Sequence, residues 1–88
     1  MKLNLYATRN KKSGQYGKIA VEVLDSEQIV ESYACSFKEA PEDQKILLKE
    51  LEVYKLGEYD SATGVIVAAT PEFLLDLGSI DGKESKED

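Results

Sequence analysis

Apolar positions recur along this chain with two different periods. Leu3, Leu5 and Ala7 alternate with Lys2, Asn4 and Tyr6, which is the period of a half-buried strand. Asn10-Lys11-Lys12-Ser13-Gly14 breaks the alternation with residues that favour a turn, so it reads as a hairpin tip. Alternation resumes from Lys18 to Leu24, where Ile19, Val21 and Val23 are interleaved with Ala20, Glu22 and Leu24. The pattern predicts a first hairpin with a basic tip.

The period then changes. Ile29, Val30, Tyr33, Ala34 and Phe37 fall on one face of a helix, opposite Glu31, Ser32 and Lys38. Asp25 stands at the N-cap with Gln28 three residues on, in capping-box spacing, and Glu27 suits the positive helix end. The helix should end before Pro41, because a residue preceding proline disfavours helical dihedrals. Pro41-Glu42-Asp43 then predicts a short second helix running through Lys49, with proline in its first position and acids in its first turn.

Leu51 to Leu56 reads as a strand, and Val65-Ile66-Val67-Ala68 as a second one. Between them Asp60-Ser61-Ala62-Thr63-Gly64 repeats the first tip in kind: D-x-x-T-G beside N-x-x-S-G. In both, an Asx side chain can cap the turn and a glycine can take a left-handed conformation at its exit. Thr70-Pro71-Glu72 resembles another helix start, with Phe73, Leu74, Leu75 and Leu77 as apolar content and Gly78 as a stop. Beyond Ile80 no apolar side chain remains.

These elements predict an α+β fold, in which an antiparallel sheet of two hairpins packs on one amphipathic helix in the order β-β-α-β-β with a short C-terminal helix. Residues 1–80 form a single domain, and 81–88 a disordered acidic tail. A small five-stranded barrel is the alternative arrangement of the same parts.

Composition narrows the function. With 88 residues the core is small, which makes a homodimer a natural way to gain buried area. No apolar run approaches the roughly 18–20 residues of a membrane span, and the opening lacks a signal-peptide core, so a soluble, cytoplasmic protein is expected. The net charge of −6 conceals an asymmetry: residues 1–18 hold five bases and no acid, while all 17 acids follow. There is no histidine to serve as general base or metal ligand, and neither glycine-rich phosphate fingerprint occurs. The single cysteine, Cys35, reads as a buried structural thiol beside the apolar helix face. The carboxylate pairs Glu50/Glu52 and Glu58/Asp60 lack a third ligand for a hard cation. No enzyme activity, cofactor or metal is expected.

The basic segment has two readings. Arg9, Lys11, Lys12 and Lys18 could neutralise phosphates while Tyr6 or Tyr16 stacks on bases, which is how single-stranded nucleic acid is held. Alternatively the lysines keep an ordinary turn soluble and the tyrosines pack on the sheet. The acidic remainder supports a second function, that of a protein-interaction module which never touches DNA.

With these motifs in view, the chain resembles the small nonstructural proteins of gokushoviruses, tailless icosahedral phages with single-stranded DNA. The likeness lies in Met1-Lys2-Leu3 through Tyr6 and Arg9 to Lys12-Ser13-Gly14, and in Tyr54-Lys55-Leu56-Gly57-Glu58-Tyr59-Asp60 leading into Ser61-Ala62-Thr63-Gly64-Val65-Ile66. Ser13 stands where threonine is common in that family, and the segment after Thr70 is longer. The resemblance covers roughly residues 1–67. It implies a non-capsid product of the infected bacterial cytoplasm with a part in genome replication or packaging, and single-stranded DNA or a phage or host replication or packaging protein as partner. It supplies no catalytic residues.

Overall fold

A computed structural model describes residues 1–80, so the expected tail at 81–88 lies outside the described residues. Strand β1 (Lys2–Asn10) is followed by the short β2 (Ala20–Glu22), helix α1 (Ser26–Glu39), helix α2 (Glu42–Leu48), and the long strands β3 (Leu51–Asp60) and β4 (Val65–Asp76). The strands form one antiparallel sheet in the order β2-β1-β3-β4. The class is α+β, as expected. The described sheet is open, with β2 and β4 at its edges.

Helix α1 has the expected capping box. The Gln28 N–H donates to Asp25 Oδ1 at 2.9 Å, and the Asp25 N–H donates to Gln28 Oε1 at 3.0 Å. The helix ends at Glu39, with Ala40 in extended geometry ahead of Pro41. In α2 the proline stands one place earlier than expected, as N-cap rather than first helical residue. The two helices meet where Lys45 Nζ lies 5.6 Å from the centre of the buried Phe37 ring.

The larger correction concerns residues 70–76. Instead of a helix, β4 continues through Pro71 to Asp76, with Glu72 opposite Lys55, Phe73 opposite Tyr54 and Leu75 opposite Val53. Helical geometry begins at Leu77 and holds through Ile80, the last described residue. The proline-led motif is local, whereas β3 offers a ready ladder, with Val53 and Tyr54 as apolar partners for Leu75 and Phe73. Pro71 is tolerated because β4 is an edge strand and the register slips between Lys55 and Gly57, which takes Pro71 out of the ladder. β2 is also shorter than expected, with only three residues in the ladder.

Strand pairing assigns side chains to faces, since opposed residues share one. Thr8 opposes Val53 and Asn10 opposes Leu51; this is the face covered by α1. The core there gathers Phe37, Leu77 and Ile80, with Tyr33, Leu48, Leu51 and Leu75 packed against them. Tyr6 is fully buried on the same side, and its hydroxyl donates to the Leu24 carbonyl at 2.7 Å. Burial pushes the Tyr6 phenol above its ordinary value. Leu5, Ala7, Arg9, Tyr54 and Phe73 belong to the opposite face, which no described helix covers.

One glycine shapes the second hairpin. Gly57 has φ of +154°, and a Cβ there would run into the Val67 carbonyl oxygen and lie 3.2 Å from Ala68 Cα. It sits beside Leu56, an unpaired extra residue in β3 opposite the Leu5–Tyr6 step. The close approach of β4 to β3 therefore needs glycine at this position.

Candidate functional site

The first hairpin tip forms as its residues demand. Asn10 Oδ1 accepts the N–H groups of Lys12 and Ser13 at 2.8 and 3.1 Å, and Gly14, at φ +75°, donates its N–H to the Asn10 carbonyl at 2.7 Å. Its charges, however, have carboxylate partners at the surface, with the Lys12 side chain still 78% exposed. Lys11 Nζ is 2.8 Å from Asp76 Oδ1, Lys12 Nζ is 2.9 Å from Glu50 Oε2, and Arg9 Nη1 is 3.5 Å from Glu52 Oε1. Three cations meet three carboxylates, because the tip of β1 lies beside the start of β3 and the end of β4. The asymmetry along the chain largely cancels in space. Lys18 alone of the four basic candidates makes no ion pair among the described residues.

Tyr6 is corrected more sharply. Its ring is fully buried and cannot stack on a base. Tyr16 is 43% exposed and lies on the open face of the sheet, bridged to Arg9. The six expected residues are thus divided: Arg9 and Tyr16 come together, Lys11 and Lys12 turn to carboxylates, and Tyr6 leaves the surface. Cys35 also departs from expectation. It is exposed, with Sγ 3.8 Å from Glu39 Oε2.

What the open face presents is apolar and aromatic. Tyr16, Tyr54 and Phe73 form a row across it, each ring edge-on to the next, with centroids 5.5 and 5.8 Å apart. The Arg9 guanidinium lies 5.9 Å from the Tyr16 ring centre. Glu52 ties the row down by pairing with Arg9 and accepting the Tyr54 hydroxyl at 3.1 Å. Burial, reinforced by Glu52, raises the Tyr54 phenol above its ordinary value. Beside this row Val21 opposes Leu5, flanked in the chain by Ile19 and Val23; the three are 50–61% exposed. Phe73 is 52% exposed and Ile66, opposite Tyr59, is 62% exposed.

No protein-family model, curated protein or solved structure matches this chain. Its function must therefore be read from its own surface. Exposed apolar groups scattered singly are ordinary, whereas here exposed rings and β-branched side chains share one sheet face.

Among the described residues no three histidine, cysteine or carboxylate side chains come together to hold a metal. No described helix is long and apolar enough to cross a membrane. Alternation at Ile19, Val21 and Val23 was the signal for the face, but it reads as core until the position of α1 is known. Tyr54 and Phe73 gave no separate signal, because the span holding Phe73 reads as a helix.

Proposed function

We propose that this protein is a non-catalytic protein-interaction module that docks a partner on the open face of its sheet. The observation carrying this reading is the uncovered surface of Tyr16, Phe73, Val21 and Ile66, backed by Tyr54. The partner presents an apolar ridge, and basic groups around that ridge would suit a chain of net charge −6. The gokushovirus resemblance supplies the setting: a replication or packaging protein of phage or host, in the cytoplasm of an infected bacterium.

A pull-down from infected cells with the full chain, after nuclease treatment, tests this. A stoichiometric protein partner that is lost with Val21→Glu or Phe73→Ala supports the reading. Recovery unchanged by both variants overturns it.

A second reading is favoured by the ring row itself. Single-stranded DNA could stack on Tyr16 and Phe73, with Arg9 and Lys18 meeting phosphates, in the manner of sheets that present aromatics to bases. This moves the expected DNA site from the hairpin tip to the face beside it. Each stacked base would contribute about 1–3 kcal/mol. Fluorescence anisotropy with a labelled oligonucleotide should then show binding that Phe73→Ala weakens and added salt reduces. No binding at low salt removes this reading.

A further inference from the structure

We infer that the outer edge of β4 pairs with the same edge of a second copy, joining two four-stranded sheets into one around a two-fold axis at Val67. This rests on the edge of β4 and not on the open face. From Ser61 to Pro71 there is no formal charge, in a chain where 32% of residues are charged. Val65, Ile66 and Val67 are 54–62% exposed, and β4 ends the sheet, so every second residue of this stretch turns its backbone N–H and C=O away from β3. Edges of this kind are usually blunted by lysine, proline or a bulge. Here the proline and the register slip begin only after Ala68, which leaves the first part of β4 open to a new strand.

The stretch is also complementary to itself. A two-fold axis normal to the sheet keeps each face on its own side, so opposed residues must share a face. Centring the antiparallel pair on Val67 places Val67 against Val67 and Ile66 against Ala68, a large side chain facing a small one twice over. Two copies of a chain with net charge −6 repel, but this arrangement carries the helix-covered bodies apart. The acids one strand in from the seam, Glu58 and Asp60, have cationic partners of their own in Lys55 and the N-terminal ammonium. From Val67 to Asp76 each strand runs away from the axis, which sets the two helix-covered bodies roughly 60 Å apart at about 3.3 Å per residue. That is far beyond a Debye length of about 8 Å at physiological salt. The 48 Å long axis of the chain fits such an outstretched hairpin.

Sedimentation of the full chain from ~1 to ~200 μM tests the proposal, because mass action should drive dimer formation with concentration. The expected mass rises from the 9.8 kDa of one chain to twice that value and stops. Val67→Lys and Val67→Glu should each weaken dimerisation at least about tenfold, since like charges would face each other at the axis. An equimolar mixture of the two should restore it. Phe73→Ala, on the open face, should leave it unchanged. A chain that stays monomeric at ~200 μM, a mass that grows past the dimer, or a Val67→Lys variant that dimerises like the parent overturns the proposal.

Discussion

At residues 10–14 and 60–64 the chain reverses through the same device. Asn10 Oδ1 accepts the N–H of Lys12, and Asp60 Oδ1 that of Ala62; Gly14 and Gly64 each donate to the carbonyl of that first residue at 2.7 Å, with φ of +75° and +78°. Ser13 Oγ and Thr63 Oγ1 likewise accept the N–H two residues on. Beyond the turns the hairpins part company. The first returns as a three-residue strand against β1, whose middle is buried and whose tip is tied by ion pairs. The second returns as a twelve-residue strand whose first nine residues are exposed. Identical turns decide where a chain reverses; what the returning strand meets decides whether the hairpin becomes core or surface.

The sharpest test of that contrast compares one anchor from each hairpin. Tyr6→Ala should cost about 3–5 kcal/mol in urea unfolding, because it empties a fully buried site, whereas Ile66→Ala should stay within about 0.5 kcal/mol. Equal losses would mean the second hairpin is packed after all. Next in size, Gly57→Ala should lower stability by about 2 kcal/mol, from positive-φ strain and collision with the Val67 carbonyl. That loss should fall on the β3–β4 pairing, visible as faster amide exchange of β4 than of β1.

Substituting the turn glycines tests the likeness rather than the contrast. Gly14→Ala and Gly64→Ala should each cost about 1–2 kcal/mol, since both need a left-handed backbone. Gly14→Ala should be the worse by a little, because its Cβ meets Arg9 Nη2 at 3.3 Å and that of Gly64 meets nothing within 4 Å.

The smallest effect separates the caps. The Ala62 N–H, aided by the N-terminal ammonium 3.6 Å away, holds the Asp60 carboxyl below its ordinary value of 3.8. A lowered native pKa means its contribution is fully present above that ordinary value and is lost as pH falls through the native one. Asn10 cannot titrate in this way. Acid titration of the second turn, followed by the Ala62 amide resonance, should therefore flatten in Asp60→Asn, while the first turn shows no such step.

The parts legible in the sequence were those whose cause is local. The capping box of α1, its stop before Pro41 and both turns depend on residues within four positions of one another. Residues 70–76 carry a proline-led helix start, which is a local pattern, and the ladder that overrides it joins Phe73 to Tyr54 across the sheet. The ion pairs of the tip cations escape the sequence for the same reason: the partner of Lys11 lies 65 residues away. Leu5, Tyr6 and Ala7 are consecutive and all buried, so alternation alone does not tell that Tyr6 turns to the side of α1.

The placement of β1 between β2 and β3 also has a consequence for how the chain comes to be folded. Lys2 pairs with Asp60 and Ser61 donates to the Met1 carbonyl at 2.9 Å, so the first strand waits for a partner made more than fifty residues later. Until then it has only three residues of β2, and a lone two-stranded ribbon is marginal in water. During synthesis α1 can wind early, but the sheet cannot close until β3 has left the ribosome. Folding should accordingly be late and slow for so short a chain, with a rate set by that one distant encounter.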